Sequence, residues 1–138
     1  MKAKINEASK TADDFTKNYY FGVDKKKNIA GLYMESSLLV WNGNGYSGIE
    51  SIKKFFKELP TTEHELKTVD AQPIIDGAVS DQHTFLIQVS GTVTLGENRL
   101  KAFQQTFVIT AQNSKWKIVT DCFRLQDGVC GGIKSEPQ

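Results

Sequence analysis

Apolar positions recur at three- and four-residue spacing over residues 4 to 22. Ile5, Ala8, Ala12, Phe15, Tyr19 and Gly22 thereby share one side of a predicted helix. Asp24 is read as the N-cap of a short second helix ending at Ile29, ahead of Gly31. From Leu32 the period changes to two, and LYMESSLLVWN reads as a strand closed by Asn42-Gly43-Asn44-Gly45, a strong hairpin turn. A short return strand, Tyr46 to Gly48, precedes a third helix over Ile49 to Leu59, capped near Ser47 or Gly48 and stopped by Pro60. The remainder is strand: Glu63 to Ile75, with Pro73 marking a bulge or an edge, then Gln82 to Leu95, Leu100 to Gln112 and Lys115 to Leu125. Gly96-Glu97-Asn98 and Asn113-Ser114 join the last three.

Helices first, then a hairpin, a helix and a long antiparallel meander predict an α+β fold, with three helices on one face of a strongly curved antiparallel sheet. One domain is expected over residues 1 to 127. Residues 128 to 138, bearing Gly, Ser and Pro, are expected to form a disordered tail. The core set is Phe85, Ile87, Val89 and Val93, then Phe103, Phe107 and Ile109, then Val119, Phe123 and Leu125.

The opposite parity should be a wet, charged face. Instead it reads Leu86, Gln88, Ser90, Thr92; Gln104, Thr106, Val108, Thr110; Trp116, Ile118, Thr120, Cys122, Arg124. Arg124 is its single charge, in a chain that is 24% charged overall. An uncharged sheet face of this breadth is more often covered by protein than by water. A lone guanidinium on it asks for a carboxylate on whatever covers it.

A net charge of +1 argues against nucleic acid or an anionic membrane as a direct partner. No apolar run approaches the ~20 residues that span a bilayer, and Met1 to Lys10 lack the apolar segment of a secretory signal. Cys122 and Cys130 are read as free thiols of an intracellular protein; no metal or cofactor site is expected.

The candidate acid/base groups are Asp121, Asp70, Asp13, Asp14, His64 and His83. Asp121 alone has inward parity, with Val119 and Phe123, and is read as a structural carboxylate held by Tyr19 or Tyr20 rather than as a tuned base. Lys25-Lys26-Lys27 reads as a solvated run, and Trp41 as a strand residue packing under the hairpin.

The segments LYMESSLLVWNGNGYSGIESIKKFFKELP, Asp70 to Pro73 (DAQP), Phe103 to Gln112 (FQQTFVITAQ) and Trp116 to Asp127 (WKIVTDCFRLQD) resemble the nuclear transport factor 2-like fold, and more narrowly its NTF2-related export proteins. The resemblance covers roughly residues 5 to 127. It implies an adaptor that dimerises sheet to sheet with a related domain of a large, TAP-type mRNA export receptor. Nucleoporin Phe-Gly repeats would be engaged indirectly, through that partner, and the protein would shuttle between nucleus and cytoplasm at the nuclear pore. It further implies that Gln88, Thr106 and Cys122 lie on the dimer face and that Arg124 bridges to an acidic group of the partner. With the parity above, the expected interface set is Gln88, Thr106, Thr110, Ile118, Cys122 and Arg124.

Nuclear transport factor 2 itself carries Ran-GDP with acidic residues where this chain has Asn42, Gly96 and Asn98, leaving Glu97 and a matching His64. Weak or no Ran binding is therefore expected. The alternatives are a homodimeric Ran-GDP import carrier and a small-molecule pocket enzyme of the same fold, which would require an open interior around Asp121.

Overall fold

The computed structural model describes residues 2–27, 29–74, 84–96, 99–112 and 115–126, without the side chains of residues 2–6 and 112. Helix α1 spans Lys2–Asp24. A 3-10 turn, Ala30–Leu32, leads into β1 (Tyr33–Trp41) and β2 (Asn44–Ser47). Helix α2 (Ile49–Glu58) follows, then β3 (Thr62–Pro73), β4 (Thr84–Leu95), β5 (Arg99–Gln112) and β6 (Lys115–Gln126). The expected tail, Cys130 and His83 lie outside the described residues.

The α1 face anticipated from periodicity is the buried one: Ala8, Ala12, Phe15, Tyr19 and Gly22 are all buried, joined by Tyr20, while the Ile5 side chain lies outside the described ones. Phe15 meets Phe107 edge-on at 5.3 Å between ring centres, and Tyr19 does so at 4.9 Å. The helix therefore lies across β5. Asn42 (φ 48°) and Gly43 (φ 92°) both take the left-handed conformation, the pair that a two-residue hairpin turn needs between Trp41 and Asn44. Gly48, at φ 88°, sits at the N-cap of α2, and Leu59 ends the helix by turning extended before Pro60.

Among the described residues between Asp24 and Ile29, the expected short helix does not form. The amides of Lys25, Lys26 and Lys27 return to the carbonyls of Phe21, Val23 and Gly22 and close α1. The Asp24 carboxylate, expected to cap downstream amides, instead accepts from the Thr62 hydroxyl at 2.8 Å and from the His64 backbone N–H at 2.8 Å. Among the described residues, two α-helices and a 3-10 turn thus replace the three helices read from the sequence.

The sheet has six strands in the order β2-β1-β6-β5-β4-β3. It is mixed rather than antiparallel, because β1 runs parallel to β6 while the other neighbours are antiparallel. Alternation along one strand carries no information about the direction of a partner some eighty residues away. Pro73 sits on the edge strand β3, where its missing N–H costs least.

Candidate partner interface

The outer face is built from β4, β5, β6 and β1, whose registers line its residues into rows. Gln88 lies opposite Thr106, Thr106 opposite Cys122, and Cys122 opposite Val40. A second row runs Leu86, Val108, Thr120, Leu38, and a third Ser90, Gln104, Arg124. Gln88, Gln104, Cys122 and Arg124 are exposed, and Thr106 and Val108 are half-buried. Leu38 is 40% exposed, a large apolar side chain at the level of Thr120. Among the described residues, no carboxylate pairs with Arg124. Cys122 is a free, exposed thiol.

One expected interface residue is not on this face. Ile118 is fully buried in the core. The register shifts between Val108 and Ile109: Val108 opposes Thr120, whereas Ile109 opposes Ile118, so Val119 is the extra residue of a β-bulge. Parity reverses across it. Trp116 also turns inward, stacking on Phe85 at 5.0 Å, and Lys117 opposes Thr110 in its stead. Val119, expected in the core, is only half-buried. Thr110 keeps outer parity but is buried, with its hydroxyl 3.1 Å from that of Thr84.

Beneath the sheet, Asp121 is fully buried and satisfied. Its Oδ2 accepts from the Tyr19 hydroxyl at 2.9 Å and the Tyr33 hydroxyl at 2.6 Å, and its Oδ1 from Gln105 Nε2 at 2.6 Å. Tyr20 reaches the same group one step removed, donating to Gln105 Oε1. Burial pushes the Asp121 carboxyl up to about 6, against the opposing pull of the hydrogen bonds from Tyr33, Gln105 and Tyr19. Burial, and then the charge of Asp121, raise the phenols of Tyr19 and Tyr33 well above their ordinary value. Phe103, Phe107 and Phe123 fill the space beside this network. It is a closed hydrogen-bonded knot.

Gln105 and Tyr33 were not anticipated. Gln105 had a signal, being a polar residue at the inward parity between Phe103 and Phe107. Tyr33 heads the first strand on its buried side.

Beside the hairpin, Trp41 stacks on Phe123 at 4.0 Å with planes 4° apart, and Phe55 of α2 covers it at 5.0 Å. The His64 side chain is 2% exposed, and its Nδ1 lies 2.6 Å from Asp24 Oδ1. Burial alone would raise the Asp24 carboxyl, but the side-chain and backbone hydrogen bonds from His64 dominate and hold it below its ordinary value. Asn42 Oδ1 accepts from the Leu125 amide at 3.2 Å. Of the residues at the Ran-type positions, the His64 side chain is thus turned into the protein, whereas Asn42 stays exposed. Asp13 and Asp14 are exposed on α1, Asp70 is exposed on β3, and no metal-like group of His, Cys, Asp and Glu occurs among the described residues.

Residues 11–125 match the family model of the nuclear transport factor 2 (NTF2) domain. NTF2-related export protein 1 of Bos taurus is 42% identical over 135 residues, covering 94% of this chain and 96% of that protein. Among solved structures, nuclear transport factor 2 from Cryptosporidium parvum superposes with a TM-score of 0.76 at 23% identity, covering 89% of this chain and 95% of that one. A chain of the C. albicans Mtr2-Mex67 M domain complex has a TM-score of 0.67 at 13% identity, covering 86% and 94%.

Proposed function

The chain belongs to the nuclear transport factor 2 family, and from that premise we propose that it is a non-enzymatic adaptor which pairs, sheet against sheet, with the related domain of a large TAP-type mRNA export receptor. The observation that carries this reading is the outer face itself. Four strands present Gln, Thr, Val, Leu and Cys, with Arg124 in the third row, paired by no carboxylate among the described residues, and with Lys117 at the margin beyond the bulge, donating to the Gly31 carbonyl. Such a face carries little charge for a free surface, yet it has enough hydroxyls and amides to stay soluble until it is covered.

The interface residues on this reading are Gln88, Thr106, Cys122 and Arg124, with Leu38, Val108 and Thr120 added from the registers and Thr110 at the margin. A stable pairing of this kind buries ~1,600 Å² in total. In it, Arg124 selects the partner, because a carboxylate opposite is rewarded and a cation is penalised. Phe-Gly nucleoporins would be bound by the partner, and the complex would shuttle between nucleus and cytoplasm carrying mRNA.

That NTF2-related export proteins are the curated relatives at this identity supports the reading. The filled interior around Asp121 weighs against pocket chemistry, although the fold also serves enzymes. The inward-turned His64, with Asn42, Gly96 and Asn98 standing where carboxylates would be needed, weighs against a Ran-GDP carrier. Co-expression with the receptor's sheet domain tests the proposal: recovery of a 1:1 complex is expected. Failure of the two to co-purify, together with tight binding of Ran-GDP to the free chain, would replace it with the import-carrier reading.

A further inference from the structure

The sheet face leaves the opposite, helical side of the molecule open, and that side carries a cleft of about 510 Å³ between the end of α1, the 3-10 turn and α2. Its floor is apolar: Val23, Ile29, Ile52, Phe56 and Leu59. Its rim is cationic on both long sides, with Lys26 and Lys27 at the end of α1 and Lys53 and Lys57 on α2. Among the described residues, no carboxylate lines it. Of the neighbouring acids, Asp24 is held by His64, whereas Glu50 lies 3.8 Å from the rim residue Lys53; both are solvent-exposed, a weak pairing that an incoming carboxylate would displace. Lys26 spends one of its three donors on the Leu59 carbonyl.

We infer that this cleft is a docking site for a short acidic peptide segment in which one large aliphatic residue is flanked on both sides by Asp or Glu. The geometry of α2 argues for that pattern. Lys53 and Lys57 are four residues apart on one helix face, hence about 6 Å along the axis. In an extended peptide, residues i−1 and i+1 project from the same side about 6.6 Å apart, while residue i projects from the other. An aliphatic residue i set down on the floor therefore brings its two acidic neighbours up to the two ammonium groups at matching spacing. Lys26 and Lys27 neutralise a further carboxylate across the cleft.

Bare phosphate would leave the apolar floor uncovered. RNA would ask for a stacking platform, and the floor's one ring, Phe56, is turned against Tyr33 at 6.1 Å. The site is separate from the sheet interface, so its occupant could join the assembled heterodimer.

The test uses the full chain and fluorescein-labelled Gly/Ser-flanked peptides with an Asp-Leu-Glu centre, read by anisotropy. Asn-Leu-Gln and Asp-Ser-Glu peptides serve as controls. All the lysines are exposed, so Lys53→Glu with Lys57→Glu keeps the fold, checked by circular dichroism. The expected result is binding of the Asp-Leu-Glu peptide about tenfold tighter than either control, lost by about tenfold in the double variant and weakened by salt. Equal binding of all three peptides, or binding unaffected by the double substitution, would overturn the site. So would an octauridylate that displaces the peptide and itself binds more tightly, which would assign the cleft to nucleic acid.

Discussion

Ile118 of β6 lies directly opposite Ile109 of β5, one residue out of step with the Val108–Thr120 pair beside it. That single bulge decides which side of the sheet the start of β6 belongs to. Ile118→Ala should cost about 2–5 kcal/mol in urea unfolding, the ordinary penalty for emptying a fully buried isoleucine site. Thr120→Ala, two residues on and on the outer face, should change stability by no more than about 0.5 kcal/mol. If the two substitutions had the same small effect, the bulge would be misplaced.

Gly91 pairs with Leu66 across β3 and β4. A Cβ built on it would collide with the backbone carbonyl of Glu65 and sit 3.0 Å from the Leu66 Cα. Neither is a flexible side chain that could move away. Gly91→Ala should therefore push β3 outward and destabilise the fold by about 1–3 kcal/mol. Amide exchange should accelerate in Glu65 and Leu66 before it does in β5. Unchanged protection of β3 would contradict the close approach.

Asp121 sets a pH dependence of stability opposite to that of a surface carboxylate. Buried, it holds its proton up to about 6, against the usual 3.8. Between these values the folded state binds the proton and the unfolded state does not. Stability from this group is therefore complete below pH ~4, falls as pH rises to ~6 and is constant above, a change of about 3 kcal/mol. Asp24, held below 3.8 by His64, acts in the other direction: its contribution is present above pH ~4 and is lost as pH falls further. Chemical unfolding of the wild type and of Asp121→Asn from pH 3 to 8 separates the two. The Asn variant should lack the decline between pH 4 and 6 and keep the loss at lower pH. An identical profile in both proteins would show that Asp121 does not titrate there.

Period and parity made most of this architecture readable: the α1 face, the Asn42-Gly43 hairpin, the Pro60 stop and the inward series Phe85, Phe103, Phe107 and Phe123 stand as the alternation implies. What parity cannot carry is a change of count. A β-bulge leaves no mark in composition, so Ile118 and Trp116 were assigned to the wrong side, and Val119 to the core. Asp24 shows a second limit. A residue well suited to cap a helix found stronger acceptor work with His64 and Thr62, some forty residues away, and nothing local in the chain records that competition. The parallel placement of β1 beside β6 is likewise a long-range fact. On the candidate face, Gln88, Thr106, Cys122 and Arg124 were legible because they lie past the bulge or on strands without one.

Cys122 offers a chemical footprint of the proposed interface. Its thiol is free and exposed between Thr106 and Val40, in the middle row of the face. In a Cys130→Ser background, maleimide should label the isolated chain readily. Saturating receptor sheet domain should slow the labelling by about tenfold or more, because a covered thiol reacts only through the dissociated state. Unchanged labelling in a mixture that demonstrably forms a complex would place the contact elsewhere.

On the proposed reading, the outer face is where this adaptor is bound and Arg124 chooses the partner. Sedimentation velocity on the chain mixed with the receptor's sheet domain tests it most directly, run with the wild type and with Arg124→Asp. The wild type should move entirely into a 1:1 species. The variant, which unfolds at the same denaturant concentration because Arg124 is exposed, should sediment largely as separate components, reflecting a loss of a few kcal/mol of binding energy. A variant that forms the complex as completely as the wild type at low micromolar concentration would contradict the account.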